Sequence, residues 1–231
     1  MDVSVRGKVP IALLDWDGTL RDGWTLPGWL DVLSGATDLR RTFEADAQEY
    51  ATGEISHDAL VLQAQDLYLE ALRPHDPDSV RKIATEFVAH DRGHLRPFAV
   101  HLLEQLHRLG LNPTVISGAP LFVLREYATF LPLKDVWGLD VTYDGQKWEA
   151  GRNTGLSVVK ASIVRELTEA HRVLVAFGDS QSDVPLLDAA ELPVVVGSKA
   201  DAPARSFRMG TDGSDYELLL PRLGNLLDAP H

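Results

Sequence analysis

Asp15 and Asp17 stand two residues apart in Asp15-Trp16-Asp17-Gly18-Thr19, directly after the apolar run Val9-Pro10-Ile11-Ala12-Leu13-Leu14. That run has the length and composition of a buried strand. Two carboxylates at i and i+2 beyond a strand leave the backbone on the same side. Gly18 and Thr19 are expected to turn the chain and leave backbone N–H groups facing outward. Acids beside free amides, at the edge where open α/β sheets bind ligands, suit a metal and a phosphate. Taken alone, the segment reads first as a strand ending in an Asp-Gly turn, its aspartates serving local backbone donors. A calcium loop does not fit. An EF-hand starting at Asp15 wants Gly at the position of Leu20 and a bidentate Glu at that of Leu26.

Three further places offer related chemistry. Ser117-Gly118, after Thr114-Val115-Ile116, sets a hydroxyl and a glycine amide where a helix is expected to start. That suits phosphate oxygens, and a plain helix cap equally. Lys160 lies near the start of a helix expected from Ser157; by itself such a lysine is ordinarily solvated surface. Gly178-Asp179-Ser180-Gln181-Ser182-Asp183 follows the apolar run Val173 to Phe177 and again puts acids beside glycine at a strand end. Asp183 is also placed to cap the helix that Val184-Pro185 begins.

The elements that must position these residues follow from periodicity. Asn112 to Ser117, Arg172 to Phe177 and Leu192 to Val196 read as buried strands. Pro97 to Leu109, Leu121 to Phe130 and Ser157 to Ala170 read as helices, with another opening at Pro185. Trp137 to Trp148 alternates around Asp144-Gly145, a hairpin signature. Strands alternating with helices predict an α/β fold with a doubly wound, mainly parallel sheet. Between Leu20 and His94 the spacing is helical instead, as in Leu60, Ala64, Leu67 and Ala71, with breakers at Gly35, Gly53, Pro74, Pro77 and Gly93. The expected organisation is a core of residues 1–20 and 95–231 with a helical cap, 21–94, inserted after the first motif.

Composition narrows the chemistry. A chain of 231 residues, 45% apolar and 24% charged, is ordinary for a globular protein. Its formal net charge of −12 argues against nucleic acid or an anionic membrane as partner. An anionic substrate would need local cations, either a metal or a placed Lys or Arg. Without cysteine, disulfides, thiolate catalysis and cysteine-ligated zinc are excluded. No stretch resembles a signal peptide or a membrane span, so a cytoplasmic location is the expectation. His90, His94, His101 and His107 read as structural or solvent-facing.

Taken in order, Asp-x-Asp-Gly-Thr, Ser-Gly, Lys and Gly-Asp-x-x-x-Asp resemble the haloacid dehalogenase superfamily of phosphatases across nearly the whole chain. The helical segment after the first motif is similar to that superfamily's first type of cap, and residues 113 to 160 look most like the phosphoserine phosphatase branch. The resemblance implies that Asp15 is the nucleophile, forming an aspartyl-phosphate, and that Asp17 is the general acid and base. It implies a magnesium ion held by the Asp15 side chain, the Asp17 carbonyl and Asp179, with Asp183 supporting the site directly or through water. Ser117, Lys160 and the amides near Gly18 and Gly118 would neutralise the transferring phosphoryl group. Four converging carboxylates need such cations, since alone they would repel and protonate.

The substrate implied is a small phosphorylated metabolite, yet not phosphoserine. That branch places a cap glutamate about where Trp24 stands, and a cap arginine where Leu62-Gln63-Ala64 stands. Ser182 also replaces a common asparagine. Trp16, Trp24 and Trp29 are expected near the site's mouth, and Trp16 or Trp24 would then contact the leaving group. An aromatic box for a quaternary amine such as phosphocholine is one reading; packing of cap onto core is the other. Phosphoryl transfer to another alcohol or within a sugar, and a catalytically silent binding protein on the same fold, are the alternatives to hydrolysis. Retention of Asp15, Asp17, Ser117, Lys160, Asp179 and Asp183 in one chain argues against the last.

Overall fold

The apolar run before Asp15 alternates between two cores. Ile11 and Leu13 pack into one apolar cluster while Ala12 and Leu14 pack into another on the opposite side. The structure, a computed structural model, describes residues 8–34, 37–197 and 203–228. Gly35 and both ends of the expected core lie outside the described residues.

Strand β1 (Val9–Leu14) is followed by four helices, α1 (Thr25–Ser34), α2 (Thr37–Thr52), α3 (His57–Leu72) and α4 (Pro77–Asp91). Then come α5 (Ala99–Arg108), β2 (Asn112–Pro120), α6 (Leu121–Tyr127), and the antiparallel pair β3 (Asp135–Tyr143) and β4 (Trp148–Asn153). The chain continues through α7 (Ser157–Ala170), β5 (His171–Gly178), α8 (Val184–Ala189), β6 (Leu192–Val196), β7 (Phe207–Met209) and α9 (Tyr216–Asp228). The strands form one seven-stranded sheet in the order β4-β3-β2-β1-β5-β6-β7, parallel except for β4. The doubly wound, mainly parallel α/β architecture is therefore present. Central β1 has β2 on one side and β5 on the other, which makes its C-terminal end the switch point where such sheets bind ligands.

Local chemistry sets most element boundaries. Ser56 caps α3 by accepting from the Ala59 amide, and Asp76 caps α4 by accepting from Asp78 and Ser79, with Pro77 at the first position. The expected hairpin of Trp137 to Trp148 is longer, from Asp135 to Asn153, and three other boundaries differ for local reasons. Helix α5 starts at Ala99 rather than Pro97; ahead of it the Arg96 amide donates to the Leu20 carbonyl at 2.9 Å, tying that residue into the linker. Helix α6 stops at Tyr127, where the amides of Thr129 and Phe130 turn back onto Glu126 and Tyr127. Strand β2 runs past Ser117 to Pro120, its register against β3 shifting after Ile116.

The two links into and out of α1–α4 lie side by side. Arg21 bridges to Leu95, and the Asp22 amide donates to the His94 carbonyl at 2.8 Å. Arg21 is buried and meets Asp91 with two hydrogen bonds, at 2.9 and 2.7 Å, while the Tyr127 hydroxyl donates to the same carboxylate at 2.7 Å. A buried pair with both partners this well satisfied fixes geometry more than it adds stability.

Candidate active site

Each predicted motif ends on one edge of the sheet. Asp15 follows β1, Ser117 lies in β2 and Asp179 follows β5. The Asp15 amide donates to the Phe177 carbonyl at 3.0 Å, which anchors the first motif to the strand that delivers Asp179. Lys160 reaches the same place from the first turn of α7.

Lys160 is not surface. It is 2% exposed, and its ammonium lies 3.0 Å from Asp15 Oδ1 and 2.5 Å from Asp183 Oδ1. Burial works against the ammonium, yet the two carboxylates hold its pKa above the usual lysine value. Burial pushes the Asp15 carboxyl well up, Asp183 and Asp179 adding to it and Lys160 opposing. Such a carboxylate cluster calls for a further cation.

One carboxylate oxygen from each of Asp15, Asp179 and Asp183 lies within 4.8 Å of the others. An all-oxygen donor set of this kind fits magnesium. Asp183 is already saturated with donors: its second oxygen accepts from the amides of Asp179 and Ser180, at 3.1 and 3.0 Å, and from the Ser180 hydroxyl at 2.9 Å. Its geometry therefore favours holding Asp179 and Lys160 in place. Asp179 sits hard against Gly18, where a Cβ would stand 2.4 Å from Asp179 Oδ2. The Thr19 hydroxyl donates to Asp179 at 3.2 Å.

Asp17 also lines the cavity but is not among the acids whose oxygens gather there. Its Oδ1 accepts from the Thr25 amide at 3.0 Å and from the Thr25 hydroxyl at 2.5 Å, at the N-terminus of α1. Burial lifts Asp17 to about 6, and Arg21 and Thr25 keep it from rising further. A carboxyl near 6 can give up and take back a proton close to neutrality.

Two expectations need correction. The Gly18 amide does not face outward: it donates to the Arg21 carbonyl at 2.8 Å, and the Thr19 amide donates to Trp16 at 3.2 Å, closing the turn. The left-handed φ of +84° at Gly18 is what permits this turn. Among the described residues the amides of Trp16 and Asp17 have no such internal acceptor. Trp16 itself is fully buried, its ring 4.5 Å from that of Tyr127. Between two site-facing aspartates, alternation sends it into the core and away from any ligand. Trp29 is likewise buried, against Phe87.

Trp24 does reach the site. It is 41% exposed, packs edge-on against Phe43 at 5.4 Å, and helps line a cavity of about 190 Å³ above Asp15. Ser117 and Gly118 line it too, the latter close to Gly155, whose Cα a Cβ on Gly118 would meet at 3.1 Å. From α1, α2 and α3 come Leu26, Tyr50, His57, Leu60 and Val61, none of which sequence reasoning assigned to the site. Thr25 was missed as well. A threonine ahead of the helically spaced Leu26, Trp29, Leu30 and Leu33 is a helix-start signal that would have placed it beside the first motif.

A model of the haloacid dehalogenase-like hydrolase family matches residues 12–188. No curated protein matches the chain. Among solved structures, a Bordetella pertussis Tohama I protein of unknown function is 21% identical over 82% of this chain and 90% of its own, with a TM-score of 0.66. A phosphoserine phosphatase with a phospho-aspartyl intermediate analogue is 16% identical over 93% and 99%, with a TM-score of 0.66. A cytosolic 5'-nucleotidase IIIB bound to cytidine is 14% identical over 94% and 86%, with a TM-score of 0.63. At these identities the likeness is one of fold.

Proposed function

The chain belongs to the haloacid dehalogenase-like hydrolases, and on that footing we propose that it is a magnesium-dependent phosphatase acting on a small-molecule phosphomonoester other than phosphoserine. The observation that carries this reading is Asp15 at the switch point, between the Lys160 ammonium at 3.0 Å and the acids Asp179 and Asp183. Asp15 attacks phosphorus, its Oδ–P bond forming as the ester O–P bond breaks. Asp17 donates its proton to the departing alkoxide, then takes a proton from a water whose oxygen bonds to phosphorus as the Asp15 Oδ–P bond breaks, releasing phosphate and restoring the carboxylate. Lys160, the Ser117 hydroxyl and the Trp16 and Asp17 amides hold the phosphoryl oxygens.

Asp15, the Asp17 carbonyl and Asp179 would hold magnesium, with Asp183 behind them. Bound there, the ion would supply positive charge to the phosphoryl oxygens. Residues 21–94 act as a cap that closes over the cavity, with the paired links at Leu20–Gly23 and Ala89–Arg96 as hinges. Expected is magnesium-dependent release of phosphate from p-nitrophenyl phosphate, stopped by EDTA and by Asp15→Asn. Full activity of that variant would remove the mechanism.

A further inference from the structure

The wall that α1–α3 and the preceding Trp24 present to the cavity is mostly apolar. Trp24 packs edge-on against Phe43, and Leu26, Leu60, Val61 and Ala64 line the same cavity. Among the described residues, no Lys, Arg, Asp or Glu from these helices reaches it. The polar side chains they contribute are Tyr50 and His57, stacked edge-on at 5.8 Å. The His57 Nδ1 atom is buried without a hydrogen-bond partner, 3.6 Å from an Asp58 oxygen that already accepts from the Ser157 amide and hydroxyl.

A leaving group must match this wall. An amino-acid alcohol would carry an ammonium and a carboxylate against carbon, unpaired. A sugar would set several hydroxyls against a helical wall whose polar side chains are Tyr50 and His57. A quaternary ammonium needs aromatic faces around it, and half of this wall is aliphatic. A flat ring, by contrast, meets Trp24, Phe43 and Tyr50 in the edge and offset contacts that rings prefer. About 190 Å³ is small beside the ~300–1,000 Å³ of drug-sized sites, so it suits a phosphoryl group and one compact ring system.

We propose that the substrate's leaving group is an uncharged aromatic alcohol, seated against Trp24, Phe43, Leu60 and Val61 of this wall. This rests on the phosphatase reading above. It makes the α1–α3 wall the determinant of specificity, while the strand ends supply the chemistry.

The test compares kcat/KM for 1-naphthyl phosphate, phosphoserine, phosphocholine, phosphoethanolamine, glucose 6-phosphate and acetyl phosphate. Naphthyl phosphate should exceed each of the charged or polyhydroxylated esters by at least about tenfold. Val61→Asp, which sets a carboxylate in the apolar wall, should lower the ratio of naphthyl phosphate to phosphoethanolamine by at least about tenfold; a merely structural loss would lower both together. Equal turnover of all esters, or preference for phosphocholine, overturns the inference and leaves the phosphatase reading intact. Failure to hydrolyse any of them, acetyl phosphate included, overturns the phosphatase reading instead. Calorimetry on the Asp15→Asn protein then decides the leaving group. Tighter binding of naphthyl phosphate than of phosphoserine supports the aromatic site, and equal or weaker binding refutes it.

Discussion

Thr25 donates twice to one oxygen of Asp17, from its amide at 3.0 Å and its hydroxyl at 2.5 Å. The first residue of α1 thus holds the carboxyl proposed to shuttle the proton, which couples the position of the inserted helices to acid–base chemistry. Thr25→Val keeps the amide bond and removes the hydroxyl. Since that bond favours the charged form, its loss should raise the Asp17 pKa above about 6. The effect should be a kcat/KM drop of roughly tenfold for alkyl phosphates, whose leaving oxygen needs a proton, and much less for p-nitrophenyl phosphate. Equal losses on both would count against the acid role of Asp17.

Asp17 also makes a prediction about stability. Its folded pKa of about 6 lies above the unfolded 3.8, so the folded state binds the extra proton between those values. Stability from this group is highest at low pH, falls as pH rises through that window, and stays reduced above it. Asp17→Asn should therefore stabilise the metal-free protein at pH 8, by on the order of 1–3 kcal/mol, and change it little near pH 4. Thermal denaturation at the two pH values with EDTA present would show it; equal shifts at both would contradict the assignment.

Metal binding should be visible without turnover. Asp15, Asp179 and Asp183 crowd negative charge around one ammonium. Magnesium at millimolar concentration should raise the melting temperature of the wild type, because a ligand that binds only the folded state stabilises it. Asp179→Asn should abolish most of that rise. An unchanged response in the variant would move the ion elsewhere.

Gly18→Ala tests the close approach of the first motif to Asp179. The new Cβ would stand 2.4 Å from Asp179 Oδ2, on backbone with φ +84°. We expect a loss of about 1–3 kcal/mol in stability and a weaker magnesium response. A variant as stable and as metal-responsive as wild type would mean that the turn relaxes freely.

The paired links should behave as one unit. Arg21→Met alone strands the buried Asp91 carboxylate and should cost about 3–5 kcal/mol. Combining it with Asp91→Leu should recover much of that, measured by denaturant unfolding. Additive losses would show that the pair does not act as argued.

Much of the candidate site was legible because its signals are local. A buried strand followed by acids and glycine marks itself, and the alternation of strands and helices dictates that such ends converge on one sheet edge. Lys160 shows the limit of local reading: on its helix alone it looks like surface, and only the third dimension puts it between Asp15 and Asp183. Trp16 shows the opposite failure. Proximity in sequence to two catalytic-type residues suggested a ligand contact, whereas strand alternation buries it against Tyr127. The cavity wall was hidden because Leu26, Phe43, Leu60 and Val61 come from three helices whose apolar stripes look like any core. Which part of each stripe faces the site depends on how the helices pack over the sheet, and that is not a property of any one segment.

The central claim is that Asp15 becomes covalently phosphorylated. Acid quenching of the protein during turnover of p-nitrophenyl phosphate, followed by mass spectrometry of its peptides, measures this directly. The account predicts a phosphoryl adduct on the peptide containing Asp15, lost on exposure to hydroxylamine and absent from Asp15→Asn. Turnover with no adduct on that peptide, together with an active Asp15→Asn protein, would contradict it.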